Sequence, residues 1–235
     1  MELLLMETKL SPKQIHLLKL VFKFRFITSV LLSKYLGITY KVLDRRLNYL
    51  VSLGYLKKDY KKSYRLLGKG ARYYLSYKAM RLLLLDNAIN KEGLKLTLSN
   101  NRISEPTVDK HIEILSNYQK LKSNLGEEYT LYSKYELWGN EDIISPPPDI
   151  YAQYSKTGRN KDNYFIEIIT PCQPIVIKKR LEQYLQYFEE QDSDLKLPII
   201  QLIFTDSSTL KRLERLIRYY SSLLEDYGAT IRYNN

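Results

Sequence analysis

The chain has 235 residues, of which 44% are hydrophobic, enough to bury the core of one large domain or two ordinary ones, so a disordered chain is excluded. Its single cysteine and two histidines exclude an intramolecular disulfide and leave too few ligands for a structural zinc site. The net charge of +11 is concentrated at one end. Residues 1–80 hold 17 lysines and arginines against 4 acidic residues, whereas residues 81–235 hold 20 against 22. This asymmetry indicates an anionic partner, nucleic acid or a membrane surface, for the N-terminal part alone.

The first residues, "MELLLMETKLSPKQ", carry acidic side chains where a secretory signal carries positive charge, and their apolar run is three leucines long. The apolar stretch "MRLLLLDNAI" is too short to span a bilayer. We therefore expect a cytoplasmic protein without a membrane partner.

Three helices are predicted in the first part of the chain. The first begins at Ser11, an N-cap followed by Pro12 and by Gln14 at the capping-box position. The second is capped by Thr28 and stops at Gly37, and the third runs over 39–53 before Gly54.

Strand-like runs follow the third helix. The segments 55–60 and 63–68 flank "KKS" and predict a β-hairpin. Three helices and a hairpin make a winged helix-turn-helix, and residues 69–86 are predicted to form a trailing helix. We assign 1–86 to a DNA-binding domain and the polar, Asn- and Ser-rich segment 87–106 to a linker.

The third helix has two distinct faces. Leu43, Leu47 and Leu50 recur at helical spacing and are expected to face the core. In a helix-turn-helix the opposite face enters the major groove of DNA. The polar residues predicted there are Tyr40, Lys41, Asp44, Arg45 and Asn48.

These side chains suit base recognition. Arg45 can pair with a guanine edge, Asn48 with adenine, and Asp44 can accept from cytosine or orient Arg45. Phosphate contacts are predicted for the basic residues of the hairpin, namely Lys57, Lys58, Lys61, Lys62 and Arg65. The alternative is a solvated helix face in a winged helix that binds another protein.

From residue 107 the pattern changes to a helix, three strands, a helix, a strand, a helix and a strand. This order predicts a mixed sheet with helices on both faces over 107–235, so the whole chain is expected to be α+β. The second part resembles the restriction-endonuclease-like fold, in which an acidic residue near the second strand and another late in the third hold a divalent metal. The matching residues here are Asp149 in "PPPDIYAQY" and Glu167 in "YFIEIIT".

The nuclease pattern also requires a lysine two residues after the second acid, where this chain has Ile169. Lys178 and Lys179, on the following helix, are the candidate substitutes. Two hypotheses follow. The domain is either a Mg²⁺-dependent nuclease that uses Asp149, Glu167 and Lys178, or a degenerate, non-catalytic domain used for assembly. DNA binding itself needs no cofactor.

Several segments together resemble the replication-relaxation family of plasmids and other mobile elements. They are "LSPKQIHLLKLVFKFRFITSVLLSKYLG", "RRLNYLVSLGYLKK", His111, "PPDIYAQY", "YFIEI" and "KKRLEQYLQYF". The resemblance implies a sequence-specific binder of double-stranded DNA that acts in replication initiation, relaxation or copy control. Its expected partners are DNA, a second copy of the chain, and replication or relaxation proteins. A transcriptional regulator is the other alternative.

Overall fold

The computed structural model describes residues 10–155, 162–191 and 196–234. The protein is mixed α+β and has two sheets, as the sequence predicts at this coarse level. It divides into two compact units, Met1–Ile103 and Ser104–Asn235.

The first unit contains a three-stranded antiparallel sheet in the order β1-β3-β2, surrounded by helices. Its described elements, in chain order, are α1 (Pro12–Phe24), β1 (Ile27–Thr28), α2 (Ser29–Leu36), α3 (Tyr40–Ser52), β2 (Leu56–Asp59), α4 (Lys62–Leu66), β3 (Arg72–Leu75), α5 (Tyr77–Leu83), α6 (Lys91–Lys95) and a 3-10 helix (Leu96–Arg102).

The start signals of the first two helices are confirmed. Ser11 caps α1 in a capping box, since its amide donates to Gln14 Oε1 at 2.7 Å and its hydroxyl accepts from the Gln14 amide. Thr28 Oγ1 accepts from the Leu31 amide at the start of α2, and Gly37 ends that helix in the left-handed region. Thr39 occupies the N-cap position of α3 without a side-chain cap bond.

The predicted second strand of the hairpin is wrong. Residues 63–68 lie largely in the short helix α4, and β2 pairs instead with β3, which lies where the trailing helix was predicted. Gly68 has a φ of +65° and follows α4, which lets the chain reverse before β3. β3 lies between β1 and β2, and most of its side chains are buried.

The prediction of a linker over 87–106 is also wrong. α6 and the 3-10 helix occupy most of this segment, and Leu94, Thr97 and Asn100 are buried. Arg25 ties the segment to α1, because its side chain donates to Asn100 Oδ1 at 2.8 Å and to the Leu96 carbonyl at 2.9 Å. The polar composition therefore reflects internal hydrogen bonding, and the second unit begins at Ser104.

The second unit has the predicted order of elements, with one short helix added. Its described elements are α7 (Glu105–Leu125), β4 (Tyr129–Ser133), α8 (Lys134–Leu137), β5 (Ile150–Tyr154), β6 (Tyr164–Ile169), α9 (Pro174–Glu189), β7 (Ile199–Phe204), α10 (Ser207–Glu225) and β8 (Ile231–Asn234).

The five strands form one mixed sheet in the order β4-β5-β6-β7-β8. β4, β5 and β6 are antiparallel neighbours, whereas β6, β7 and β8 run parallel. Phe165 and Ile169 of β6 lie in a core with residues of α9 and α10. The alternate residues Ile166 and Ile168 are buried on the opposite face, and α7 contacts β4 and β6. This arrangement sets β5 and β6 side by side at the centre of the unit.

Candidate functional site

The helix α3 in the first unit buries one face and exposes the other. Leu43, Leu47 and Leu50 are completely buried, as their spacing predicts. We call the opposite, exposed surface the outer face, and it comprises Lys41, Val42, Arg45 and Tyr49. Tyr40, at the first turn, is also exposed.

Asp44 and Asn48 do not lie free on this outer face. Both are half-buried on the flank of α3 that faces β2 and β3. Asn48 Nδ2 donates to Asp44 Oδ2 at 2.9 Å and to the Asp44 carbonyl at 2.8 Å. From β3, the Tyr73 hydroxyl donates to Asp44 Oδ1 at 3.0 Å, and from β2, Lys58 Nζ donates to Asn48 Oδ1 at 2.9 Å. We call these four residues the brace.

The surroundings of the Tyr73 hydroxyl in the brace keep it protonated. Burial raises the pKa of the Tyr73 hydroxyl, and its hydrogen bond to the Asp44 carboxylate raises it further. The hydroxyl therefore stays a donor throughout the neutral range. Lys58 also lies over the Tyr73 ring, with its Nζ 5.5 Å from the ring centroid.

The predicted phosphate-contacting residues occupy different places around the hairpin segment (residues 56–75). Lys57 on β2 and Lys62 at the start of α4 are exposed. Lys61 is exposed and lies over the ring of Tyr64. Lys58 belongs to the brace. Arg65 lies in α4, but its side chain falls outside the part of the chain that the structure describes.

Sequence reasoning missed Val42, Tyr49 and Tyr73. Val42 and Tyr49 have exposed fractions of 38% and 50%, high for an apolar and an aromatic side chain. Tyr49 lies one turn after Arg45, so helical spacing alone was a usable signal. No local signal could have identified Tyr73, because it contacts Asp44 only through the tertiary fold.

In the second unit the structure brings together the two predicted carboxylates. Asp149 immediately precedes β5, Glu167 lies in β6, and the strands pair with Ile150 opposite Ile166. Both carboxylates are buried, with exposed fractions of 4% and 5%. Their convergence on neighbouring strands agrees with the sequence-based expectation.

Each carboxylate already has a cationic partner. Lys110 Nζ from α7 lies 2.8 Å from Asp149 Oδ2, and the Ile168 amide donates to the same oxygen at 3.0 Å. Arg180 Nε from α9 donates to Glu167 Oε1 at 2.7 Å, and the Tyr184 hydroxyl donates to it at 2.7 Å. Sequence reasoning named none of these three partner side chains.

Arg180 is held by several further contacts. Its Nη1 donates to the Pro146 carbonyl at 2.8 Å, and its guanidinium lies 4.4 Å from the centroid of the Tyr184 ring. Burial lowers the pKa of Arg180, but the interactions with Glu167, Tyr184 and Asp149 together outweigh it, so the net pKa is raised and the residue stays charged.

The two lysines predicted to act with the carboxylates, Lys178 and Lys179, are exposed on α9. Lys178 Nζ is 3.6 Å from Glu182 Oε1, one turn further along α9, and half of its side chain is exposed. Lys110 and Lys134 are the lysines that act electrostatically on Asp149. The lysine that pairs with Asp149 is therefore Lys110 of α7, whereas Lys178 of α9 pairs with Glu182.

The charges in this cluster shift one another's pKa values. Burial raises the pKa of Asp149, but Lys110 and Lys134 outweigh it and lower that pKa to about 2. Burial lowers the pKa of Lys110, yet Asp149 and Glu167 raise it above its ordinary value. For Lys134, burial prevails over the attraction of the same carboxylates, and its pKa is lowered.

The charges around this donor set oppose a divalent metal in its present arrangement. Asp149 Oδ2 and Glu167 Oε1 each accept two hydrogen bonds, one of them from a cation, which leaves one oxygen on each carboxylate for a Mg²⁺ ion and places positive charge beside it. Within the described ranges, no group of three or more His, Cys, Asp or Glu side chains is arranged to hold a metal. We therefore derive no chemical step through a metal.

His111 is a buried residue of α7 that contacts Tyr135. Its Nε2 lies 3.1 Å from the Tyr135 hydroxyl, and the two rings are 5.7 Å apart. The contact links α7 to α8 and gives His111 a structural role.

None of the helices in the described residues combines the length and the apolar character needed to cross a bilayer. Comparisons with protein-family models, with curated protein sequences and with solved structures found no significant match to this chain.

Proposed function

We propose that this protein is a sequence-specific binder of double-stranded DNA from a plasmid or other mobile element, acting in replication initiation, relaxation or copy control. Its first unit acts as a winged helix-turn-helix. α3 enters the major groove, and the hairpin segment contacts the phosphate backbone. The second unit, a degenerate nuclease-like domain, recruits replication or relaxation proteins or a second copy of the chain. If two copies bind together, the DNA site is palindromic or repeated.

One observation carries the DNA-binding part of the proposal. The exposed cations Lys41 and Arg45 of α3 lie in the same small unit as the exposed lysines Lys57 and Lys62 of the hairpin segment. α3 has a single acidic residue, Asp44, and the brace holds it on the flank toward the hairpin. A cationic surface with little competing negative charge suits the DNA backbone. The assignment to a mobile element and to replication is supported by the sequence resemblance alone.

We expect the affinity for duplex DNA to fall steeply with salt. If about four phosphates are contacted, raising the salt from 50 to 200 mM weakens binding by roughly 100-fold. Each lysine that contacts a phosphate releases counterions from the DNA, and this release is less favourable at high salt. Replacing Lys57 and Lys62 by glutamine should make the slope of log K against log salt less steep by about 2. Fluorescence anisotropy with labelled duplexes measures both quantities.

The matched control for that experiment is Lys179→Gln, which removes an exposed lysine from α9 of the second unit. It should leave the salt slope unchanged. Salt-independent binding, or an equal effect of the control, would contradict the proposal and favour a winged helix that binds another protein.

A metal-dependent nuclease remains the second candidate, favoured by the convergence of Asp149 and Glu167 on neighbouring strands. We expect no cleavage of supercoiled or linear DNA with Mg²⁺ or Mn²⁺, because Lys110 and Arg180 occupy the carboxylates. Gel electrophoresis of the DNA after incubation with the wild type and with the Glu167→Ala variant measures the cleavage. Metal-dependent nicking that disappears in the variant would establish the enzyme instead.

A transcriptional regulator would bind DNA in the same way as a replication protein. No feature of the residues that the structure describes separates the two roles. Assays of plasmid replication and of promoter activity in the presence of the protein would distinguish them.

A further inference from the structure

The outer face of α3 differs from the surface that the sequence predicts. One flank carries Asp44 and Asn48 and is tied to β2 and β3 through the brace. The remaining surface carries Val42, Arg45 and Tyr49, whose side chains are exposed. Of the three side chains predicted to pair with bases, Arg45 is therefore exposed, whereas Asp44 and Asn48 are engaged in the brace.

The hydrogen-bonding capacity of Asn48 is already used. Its amide nitrogen donates to the Asp44 carboxylate and to the Asp44 carbonyl. Its oxygen accepts from Lys58 Nζ and lies 3.4 Å from the Tyr73 hydroxyl. Bidentate pairing with adenine requires a free N–H and a free oxygen on the same amide, so reading adenine would require Asn48 to leave the brace.

Asp44 is engaged in the same way. One carboxylate oxygen accepts from Tyr73 and the other from Asn48. These bonds hold the carboxylate on the hairpin flank, where it neither accepts from cytosine nor pairs with Arg45. They connect α3 to both strands of the hairpin segment and so determine the angle between the helix and the hairpin.

We propose that Arg45, Tyr49 and Val42 read the base edges, and that Asp44 and Asn48 are positioning residues that hold α3 against the hairpin. This inference rests on the proposed DNA-binding function. Arg45 pairs with O6 and N7 of a guanine, and Val42 contacts the methyl group of a thymine. Tyr49, one turn beyond Arg45, presents its ring and hydroxyl to a neighbouring base. The preferred site therefore contains guanine and thymine at the positions beneath α3, and no adenine is read by Asn48.

Arg46 provides a matched control for Arg45. It has the same charge and is also exposed, but it lies about 100° further around the helix. There it lines a shallow cavity together with His16 of α1 and Ile38, which precedes α3. Removing either arginine deletes one positive charge, and only Arg45 lies on the outer face.

The test begins with selection of preferred duplexes from a random library by the full-length protein. Affinities for the selected duplex and for an unrelated duplex are then measured at one salt concentration for each variant. Arg45→Ala should weaken binding to the selected duplex by about 10- to 100-fold and abolish the preference for one guanine. Tyr49→Ala should relax the preference at an adjacent position. Arg46→Ala should weaken binding to both duplexes by the same small factor.

The brace is tested with two variants, since one of them could fail to fold. Asn48→Ala removes the brace from the helix side, and Tyr73→Phe removes the bond to Asp44 from the hairpin side. Either variant that gives the circular dichroism of the wild type should select the same sequence as the wild type. Loss of an adenine preference in Asn48→Ala, or equal losses for Arg45→Ala on both duplexes, would overturn the inference. Absence of salt-sensitive binding by the wild type would instead refute the proposed function itself.

Discussion

Replacing Arg180 by methionine should lower the free energy of unfolding of the second unit by about 3–5 kcal/mol, the largest effect expected for any substitution considered in this protein. The exposed fraction of the Glu167 side chain is 6%, and Arg180 Nε lies 2.7 Å from its Oε1. Methionine preserves much of the side-chain length but removes the guanidinium that donates to the buried Glu167 carboxylate. Its remaining partner would be the Tyr184 hydroxyl. The carboxylate must then stay desolvated or take up a proton, and both cost free energy.

Urea unfolding followed by tryptophan fluorescence measures this effect in the correct unit. Trp138 is the single tryptophan of the sequence and follows α8 in the second unit. Because this reporter lies in the second unit, its fluorescence follows the unit that contains Arg180. The slope and midpoint together give the change in free energy.

Two further variants distinguish the cost of breaking the buried ion pair from the cost of removing any positive charge. Arg218→Met removes an arginine whose ion pair with Glu214 lies on the surface of α10, so it should lower the free energy of unfolding far less than Arg180→Met. Adding Glu167→Gln to Arg180→Met should recover part of the loss, because no buried charge then remains unpaired. An Arg180→Met protein as stable as the wild type would show that the ion pair contributes nothing.

The second large effect is the pH dependence that Asp149 gives to the stability of the second unit. The folded pKa of Asp149 is about 2, below its ordinary value of 3.8. A lowered carboxyl pKa stabilises the folded protein at pH values above the unfolded pKa, and this stabilisation is lost as the pH falls through the folded pKa. The difference corresponds to about 2 kcal/mol at neutral pH, lost between about pH 4 and pH 2.

Asp149→Asn should remove this dependence. At pH 7 the variant should unfold at a lower urea concentration than the wild type, and the gap should narrow as the pH falls from 4 toward 2. Asp142→Asn, which changes an exposed aspartate of the loop before β5, should follow the wild-type curve. Urea midpoints between pH 7 and pH 2.5, with Trp138 fluorescence as the signal, provide the comparison. A constant gap over the whole range would mean that Asp149 has the same pKa in the folded and unfolded states.

Local sequence signals were sufficient where the interacting residues lie within one or two helical turns. The capping box of α1 involves residues three apart, and the leucines of α3 repeat at the helical period. The order of strands and helices in the second unit follows from apolar runs bounded by polar residues. These features depend on backbone geometry and on burial of one face, which short segments already encode.

The hairpin and the linker were mispredicted because their local patterns suit more than one structure. The segment 63–68 contains apolar residues that suit a strand, yet Leu66 and Leu67 are exposed in and after α4. β3 pairs with both β1 and β2, so the segment 63–68 is not part of this sheet. The segment 87–106 is polar, but its Asn100 accepts a hydrogen bond from Arg25, 75 residues earlier. Pairing partners this distant leave no local signature.

Short-range features of the sequence predict the concentration of positive charge in the first unit, the helix starts and ends set by caps and glycines, and the position of Asp149 and Glu167 at neighbouring strands. Which charges meet depends on how the helices and strands pack together. Lys110 rather than Lys178 pairs with Asp149, and Tyr73 and Lys58 hold the Asp44–Asn48 pair away from the outer face. Ion pairs and side-chain hydrogen bonds depend on how elements pack across the core, and that packing has no period along the chain.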